Sequence, residues 1–134
     1  MRFFFAFYLL GLLCLSADPN WASGYNSALE KAQKENKGLM VLLSQEKCDA
    51  CWYMENIVLG DDELVAQIEN RFIPLYLDIH NDDLHGLTFR GTPTLYFLTN
   101  REEKIERLEG VYNIKELTAA FKKIEASKKS VNSQ

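Results

Sequence analysis

Apolar residues return at helical spacing along residues 21–36, at Trp21, Tyr25, Ala28, Leu29 and Ala32, and this predicts an amphipathic first helix with Gly38 as its stop. Leu39, Met40, Val41, Leu42 and Leu43 then form an unbroken apolar run, too short for a typical helix. Such a run fits a central strand, buried on both faces and paired in parallel. After the polar residues 44–47, residues 48–58 can form a helix. Past Gly60, the acids Asp61, Asp62 and Glu63 suit the first turn of another helix that ends near Arg71. Residues 72–79 read as the second strand, and the polar residues 80–90 are expected to hold one short helical turn. Residues 94–98 are rich in β-formers. Residues 105–108 alternate apolar with charged after an Asn-Arg-Glu-Glu turn, so the last two strands should form a hairpin. Residues 113–126 place Ile114, Leu117, Ala120, Phe121 and Ile124 on one stripe and close the chain with a helix.

That order predicts an α/β domain, a central mixed β-sheet flanked by helices, with a crossover helix beginning at Cys48. The pattern shows no internal repeat or linker, and 134 residues with 47% hydrophobic content fit one core.

Residues 3–15 stand apart as an almost continuous apolar run behind Arg2, too short to span a bilayer. Small residues follow at Ser16 and Ala17, then the polar turn Asp18-Pro19, so residues 1–17 are expected to be a signal peptide cleaved after Ala17. Retention as an anchor is the competing reading. A lipid anchor on Cys14 fits less well, because Leu13 stands where a small residue is wanted. The mature chain is then a domain over 18–127 and a flexible tail over 128–134, located in the periplasm. The net charge of −4, with no basic cluster on a predicted element, argues against a nucleic-acid partner.

Loss of the leader removes Cys14 and leaves Cys48 and Cys51 as the only cysteines, in an oxidising compartment. A Cys-x-x-Cys can be a redox pair, half a zinc site or a structural staple. Zinc wants four ligands, and His80 and His85 in a polar loop are the only other nitrogen or sulfur candidates, so no metal is expected. A staple closing about four residues restrains the unfolded chain by only roughly 2 kcal/mol. Exchange chemistry uses the short loop better. Cys48 sits where a helix begins, so free backbone N–H groups and the helix dipole favour its thiolate. A thiol near pKa 8.5 is only about 3% ionised at neutral pH, and one shifted to about 7 is half ionised. Lys47 should help this shift and Asp49 should oppose it. Cys51, one turn deeper, can reach the Cys48 sulfur and resolve a mixed disulfide.

The chain resembles the thioredoxin superfamily through Cys48-Asp49-Ala50-Cys51 after a strand, Arg90-Gly91-Thr92-Pro93-Thr94 before the hairpin, and Gly110 after the last strand. The resemblance covers roughly residues 21–126. It implies a thioredoxin-like fold and a thiol-disulfide oxidoreductase with Cys48 and Cys51 as catalytic residues and as its redox disulfide. It also implies a cis Pro93 beside the pair, Thr92 and Pro93 as the substrate-binding edge, and no bound cofactor. The departures are Lys47 in place of the usual preceding Trp, Asp-Ala between the cysteines, and Trp52 on the far side of the pair. Leu42 falls where thioredoxins keep a buried acid, so proton transfer to Cys51 would use water or another acid such as Glu55. Tyr53, Met54, Tyr96 and Phe97 are packing residues by their spacing, with groove lining as a second use.

The partners expected are protein disulfide and dithiol substrates and a membrane electron donor. A monomer is expected, since residues 18–134 leave no space for an added dimerisation domain. The alternative is a non-catalytic binding or metal-handling module that keeps the fold, favoured if Leu42 and Asp49 leave Cys48 unreactive.

Overall fold

The apolar run at 39–43 lies in the middle of a four-stranded sheet as β1 (Gly38–Ser44), whose seven residues are all buried. The computed structural model describes residues 18–132. Residues 1–17, where a leader is expected, lie outside the described residues together with Cys14 and both anchor readings, as do residues 133 and 134. Among the described residues no helix is long and apolar enough to cross a membrane.

The elements run α1 (Tyr25–Glu35), β1, α2 (Asp49–Tyr53) continued by one π-helical turn (Met54–Val58), α3 (Asp62–Arg71), β2 (Phe72–Asp78), β3 (Thr94–Leu98), β4 (Lys104–Glu109) and α4 (Ile114–Asn132). The sheet order is β2-β1-β3-β4, with β1 parallel to β2 and antiparallel to β3, and with β3 and β4 forming the expected hairpin. It is a mixed sheet with helices on both faces, as the pattern predicted.

Strand alternation sorts the core into two layers. Met40, Leu42, Phe72, Leu95 and Phe97 pack with Met54, Val58, Leu59, Leu64, Ile68, Leu117 and Phe121 on one face. On the other, Leu39, Val41, Leu43, Ile73, Leu75 and Leu77 pack with Tyr25, Ala28 and Ala32 of α1. Because β1 is covered on both sides, residues 39–43 are all apolar, and fully burying each large one stabilises by about 1.5–3 kcal/mol.

Several boundaries differ from the sequence pattern for local reasons. Helix α1 starts at Tyr25, because the Ala22 N–H donates to the Pro74 carbonyl and lays the preceding segment along β2. The same contact covers the sheet edge that accommodates Pro74. Asn36, in the left-handed conformation at φ 53°, ends α1 in place of Gly38. Gly38 belongs to β1. The helical turn expected within 80–90 is absent; turns, bends and irregular backbone take its place. Side chains capture the backbone donors there: Asp78 accepts from the His80 N–H, Asp83 from the His85 N–H, and Asp82 from the Asp78 N–H. The last helix continues beyond Ala126 to Asn132, so backbone expected as tail from residue 128 is helical over that stretch.

Candidate active site

The end of β1 delivers a polar turn to the start of α2, and the reactive pair sits at that junction. Lys47 takes a left-handed φ of 54°, which swings the chain so that Cys48 becomes the N-cap of α2 with extended backbone. In that position its sulfur accepts the Cys51 backbone N–H at 3.2 Å. A cap acceptor that can carry negative charge is favoured by the same N–H groups and dipole that orphan the helix start.

Cys48 and Cys51 are joined as a disulfide with their Cα atoms 5.2 Å apart. Cys48 is half-buried, whereas Cys51 is 1% exposed, so only the first sulfur is open to an incoming group. Lys47 and Asp49 are both exposed on either side of Cys48, where water and salt screen their opposing effects.

The segment before β3 closes over the pair. The Thr92–Pro93 peptide bond is cis. The Cys48 Sγ lies 3.6 Å from Thr92 Oγ1 and 3.8 Å from the Thr92 carbonyl oxygen. A sulfur in a disulfide bears no hydrogen, so the carbonyl distance is a close approach. The structure thus brings Cys48, Cys51, Thr92 and Pro93 together from segments more than 40 residues apart. Gly110 is tied to the same loop: its φ of 88° turns the backbone after β4, and its N–H donates to the Pro93 carbonyl at 2.9 Å.

Beside Cys48 is a cavity of about 320 Å³ lined by Gln45, Lys47, Asp49, Trp52, Glu55 and Tyr76, together with Glu46 and Cys48 itself. Leu42 is buried where the resemblance would put an acid. Glu55, one of the carboxylates lining the cavity, accepts a hydrogen bond from the fully buried Ser44 hydroxyl. Burial raises the Tyr76 phenol above its ordinary range, and the carboxylates of Glu55, Asp78 and Asp82 push the same way against a bond from Ser44.

A profile described as a thioredoxin-like domain matches residues 25–125. The chain belongs to this family. Among solved structures it is similar to a thioredoxin from Thermus thermophilus at 25% identity and a TM-score of 0.70, over 81% of this chain and 87% of that one. It is also similar to a disulphide isomerase from Xylella fastidiosa Temecula1 at 15% identity and a TM-score of 0.62, over 81% of this chain and 98% of that one, a likeness of fold alone. An uncharacterized protein of Borreliella burgdorferi is 24% identical over 119 residues, 79% of this chain and 49% of that protein. The thioredoxin-like chain thus spans about half the length of that relative.

Other residues singled out from the sequence divide between the core and the surface of this thioredoxin-like domain. Met54, Tyr96 and Phe97 are buried in the core; Tyr53 and Trp52 are exposed, at 42% and 59%. His80 Nε2 lies 3.0 Å from Gln45 Oε1, whereas His85 stacks on Tyr25 with ring centroids 3.8 Å apart, so the two histidines are engaged separately. Among the described residues no group of three or more His, Cys, Asp or Glu could hold a metal ion. Sequence reasoning missed Ser44, Gln45 and Tyr76. Gln45 could have been suspected from its place in the polar turn before the pair, but its partner Thr92 is 47 residues away.

Proposed function

We propose that this thioredoxin-like protein reduces protein disulfides by dithiol exchange, working in the periplasm after removal of its leader. The observation that carries the reading is the disulfide itself: a half-buried Cys48 capping a helix, bonded to a buried Cys51, and faced by Thr92 and Pro93. In the reduced pair, the Cys48 thiolate attacks a substrate disulfide; a bond forms between the two sulfurs, and the other substrate sulfur leaves as a thiolate. Cys51 loses its proton to water or Glu55 and attacks Cys48 Sγ. The Cys48–Cys51 bond forms, the second substrate sulfur leaves, and two electrons have passed to the substrate.

Thr92 and Pro93 form the edge against which an extended substrate segment would lie. No bound cofactor takes part, since both electrons reside in the two thiols. The protein acts as a monomer and is recharged by a membrane electron donor, because an oxidising compartment would otherwise leave it spent.

Direction follows from the balance around Cys48. Asp49 disfavours the thiolate, and a less stable thiolate makes a less oxidising disulfide. Lys47 and the helix start each favour the anion by roughly 0.3–1 kcal/mol, enough to offset Asp49 and no more. The expected reduction potential lies between about −200 and −270 mV. Equilibration in glutathione redox buffers, read by alkylation of Cys48, checks it: a value above about −150 mV would overturn the reducing role.

A further inference from the structure

We propose that Gln45 and His80 are positioning residues that set the acidity of the Cys48 thiol through the hydroxyl of Thr92, along a hydrogen-bond chain running from solvent to the attacking sulfur. This rests on the exchange reading of the same pair and adds to it the residues that tune the nucleophile.

The chain is continuous. His80, exposed in the turn after β2, has its Nε2 3.0 Å from Gln45 Oε1. The half-buried Gln45 donates from Nε2 to Thr92 Oγ1 at 2.7 Å, and that oxygen stands 3.6 Å from Cys48 Sγ. Three separate segments, after β1, after β2 and before β3, therefore meet on one sulfur.

Its polarity matters more than its length. A threonine hydroxyl has one hydrogen and two lone pairs. With Gln45 donating to the Thr92 oxygen, the Thr92 hydrogen is free to turn toward Cys48. A hydrogen on His80 Nε2 then satisfies Gln45 Oε1, so every link donates in the direction of the sulfur. When the disulfide is reduced, the chain ends in a donor aimed at the thiolate, a second one beside the Cys51 N–H. Hydrogen bonds to the charged form lower a thiol's pKa, and aligned donors strengthen one another. The reverse amide orientation would consume the Thr92 hydrogen, present a lone pair to Cys48, and favour the thiol. His80, as a donor, holds the amide in the first orientation.

Other titratable groups surround these residues. Glu46, Lys47, Asp49, Glu55 and Tyr76 line the cavity beside Cys48. Asp78 accepts the His80 backbone N–H at 2.8 Å, and Asp82 accepts the Asp78 N–H. None is altered in the variants below, so their contributions cancel in the comparison.

The test is the pH dependence of iodoacetamide alkylation of Cys48 in the reduced full-length chain, read by mass spectrometry with Cys48 resolved from Cys14 and Cys51. Thr92→Val should raise the midpoint by roughly half to one pH unit, a loss of thiolate of about three- to tenfold below it. Thr92→Ser keeps the hydroxyl and should keep the midpoint. Gln45→Leu and His80→Phe should shift it the same way by less. Gln45→Leu should add nothing in the Thr92→Val background, because its route to the sulfur has been cut. An unmoved midpoint in Thr92→Val, an equal shift in Thr92→Ser, or a full Gln45→Leu shift in the Thr92→Val background would each overturn the chain. The midpoint is read on the thiol without any substrate, so its outcome is distinct from that of the redox-potential titration.

Discussion

A methyl group at position 38 would stand 2.6 Å from the Leu98 carbonyl oxygen and 2.9 Å from the Phe72 ring, since β1 runs between those two residues with no space for a side chain. Gly38→Ala should therefore destabilise by about 1–3 kcal/mol, seen as a lower urea midpoint at an unchanged slope. In the sequence this glycine looked like a helix stop; its role was hidden because the crowding atoms come from residues 34 and 60 positions away. Tyr25 offers a pH-dependent case. Burial, then the hydrogen bond its hydroxyl donates to Glu102 at 2.7 Å and the charge of that carboxylate, push the phenol well above its ordinary value. The folded state thus holds a proton that the unfolded chain releases near pH 10, so this stability is complete below about pH 10 and is lost as pH rises through the folded-state value. Tyr25→Phe should cost about 0.5–1.5 kcal/mol at neutral pH and make the alkaline fall in urea midpoint shallower, though not flat, because Tyr76 is shifted the same way. An alkaline fall as steep in Tyr25→Phe as in the parent would contradict the assignment.

The elements were legible where one period dominated. The apolar run of β1, the hairpin of β3 and β4 and the stripe of α4 from Leu117 to Ile124 follow from spacing and burial, whereas Ile114, at the start of that stripe, is exposed; the acids at 61–63 marked α3, whose Asp61 accepts the Leu64 N–H at 3.0 Å. What spacing could not reveal was the π-helical turn after α2, where Leu59 N–H donates to Met54 O at 2.8 Å. That one wide turn lets Met54, Val58 and Leu59 all enter the core, an outcome decided by packing against the sheet. Helix α4 is docked by an aromatic cluster: Phe121 meets Phe97 edge-on at 5.7 Å and Phe72 at 6.2 Å between centroids, and it is 1% exposed. Phe121→Ala should cost about 3–5 kcal/mol in chemical denaturation while leaving the Cys48–Cys51 disulfide able to form. A loss below about 1 kcal/mol would mean that α4 is held elsewhere.

At the scale of the molecule, the sheet order places the end of β1 next to the start of β3, and this alone brings the helix-capping cysteine to the Thr92–Pro93 edge. The pair and that edge could be read from the sequence because each is a short local motif. Their surroundings, with Ser44 bonded to Glu55 and Gln45 bridging His80 and Thr92, could not, because every partner but Glu55 lies at least 35 residues away. The central claim is an ordered exchange in which the accessible Cys48 attacks and the buried Cys51 resolves. It is tested most directly by offering an oxidised protein substrate to the reduced single variants and counting covalent mixed disulfides by mass spectrometry. Cys51→Ser should accumulate substrate bonded to Cys48, and Cys48→Ser should accumulate almost none, because Cys51 is shielded from solvent. Equal trapping by the two variants would contradict the account.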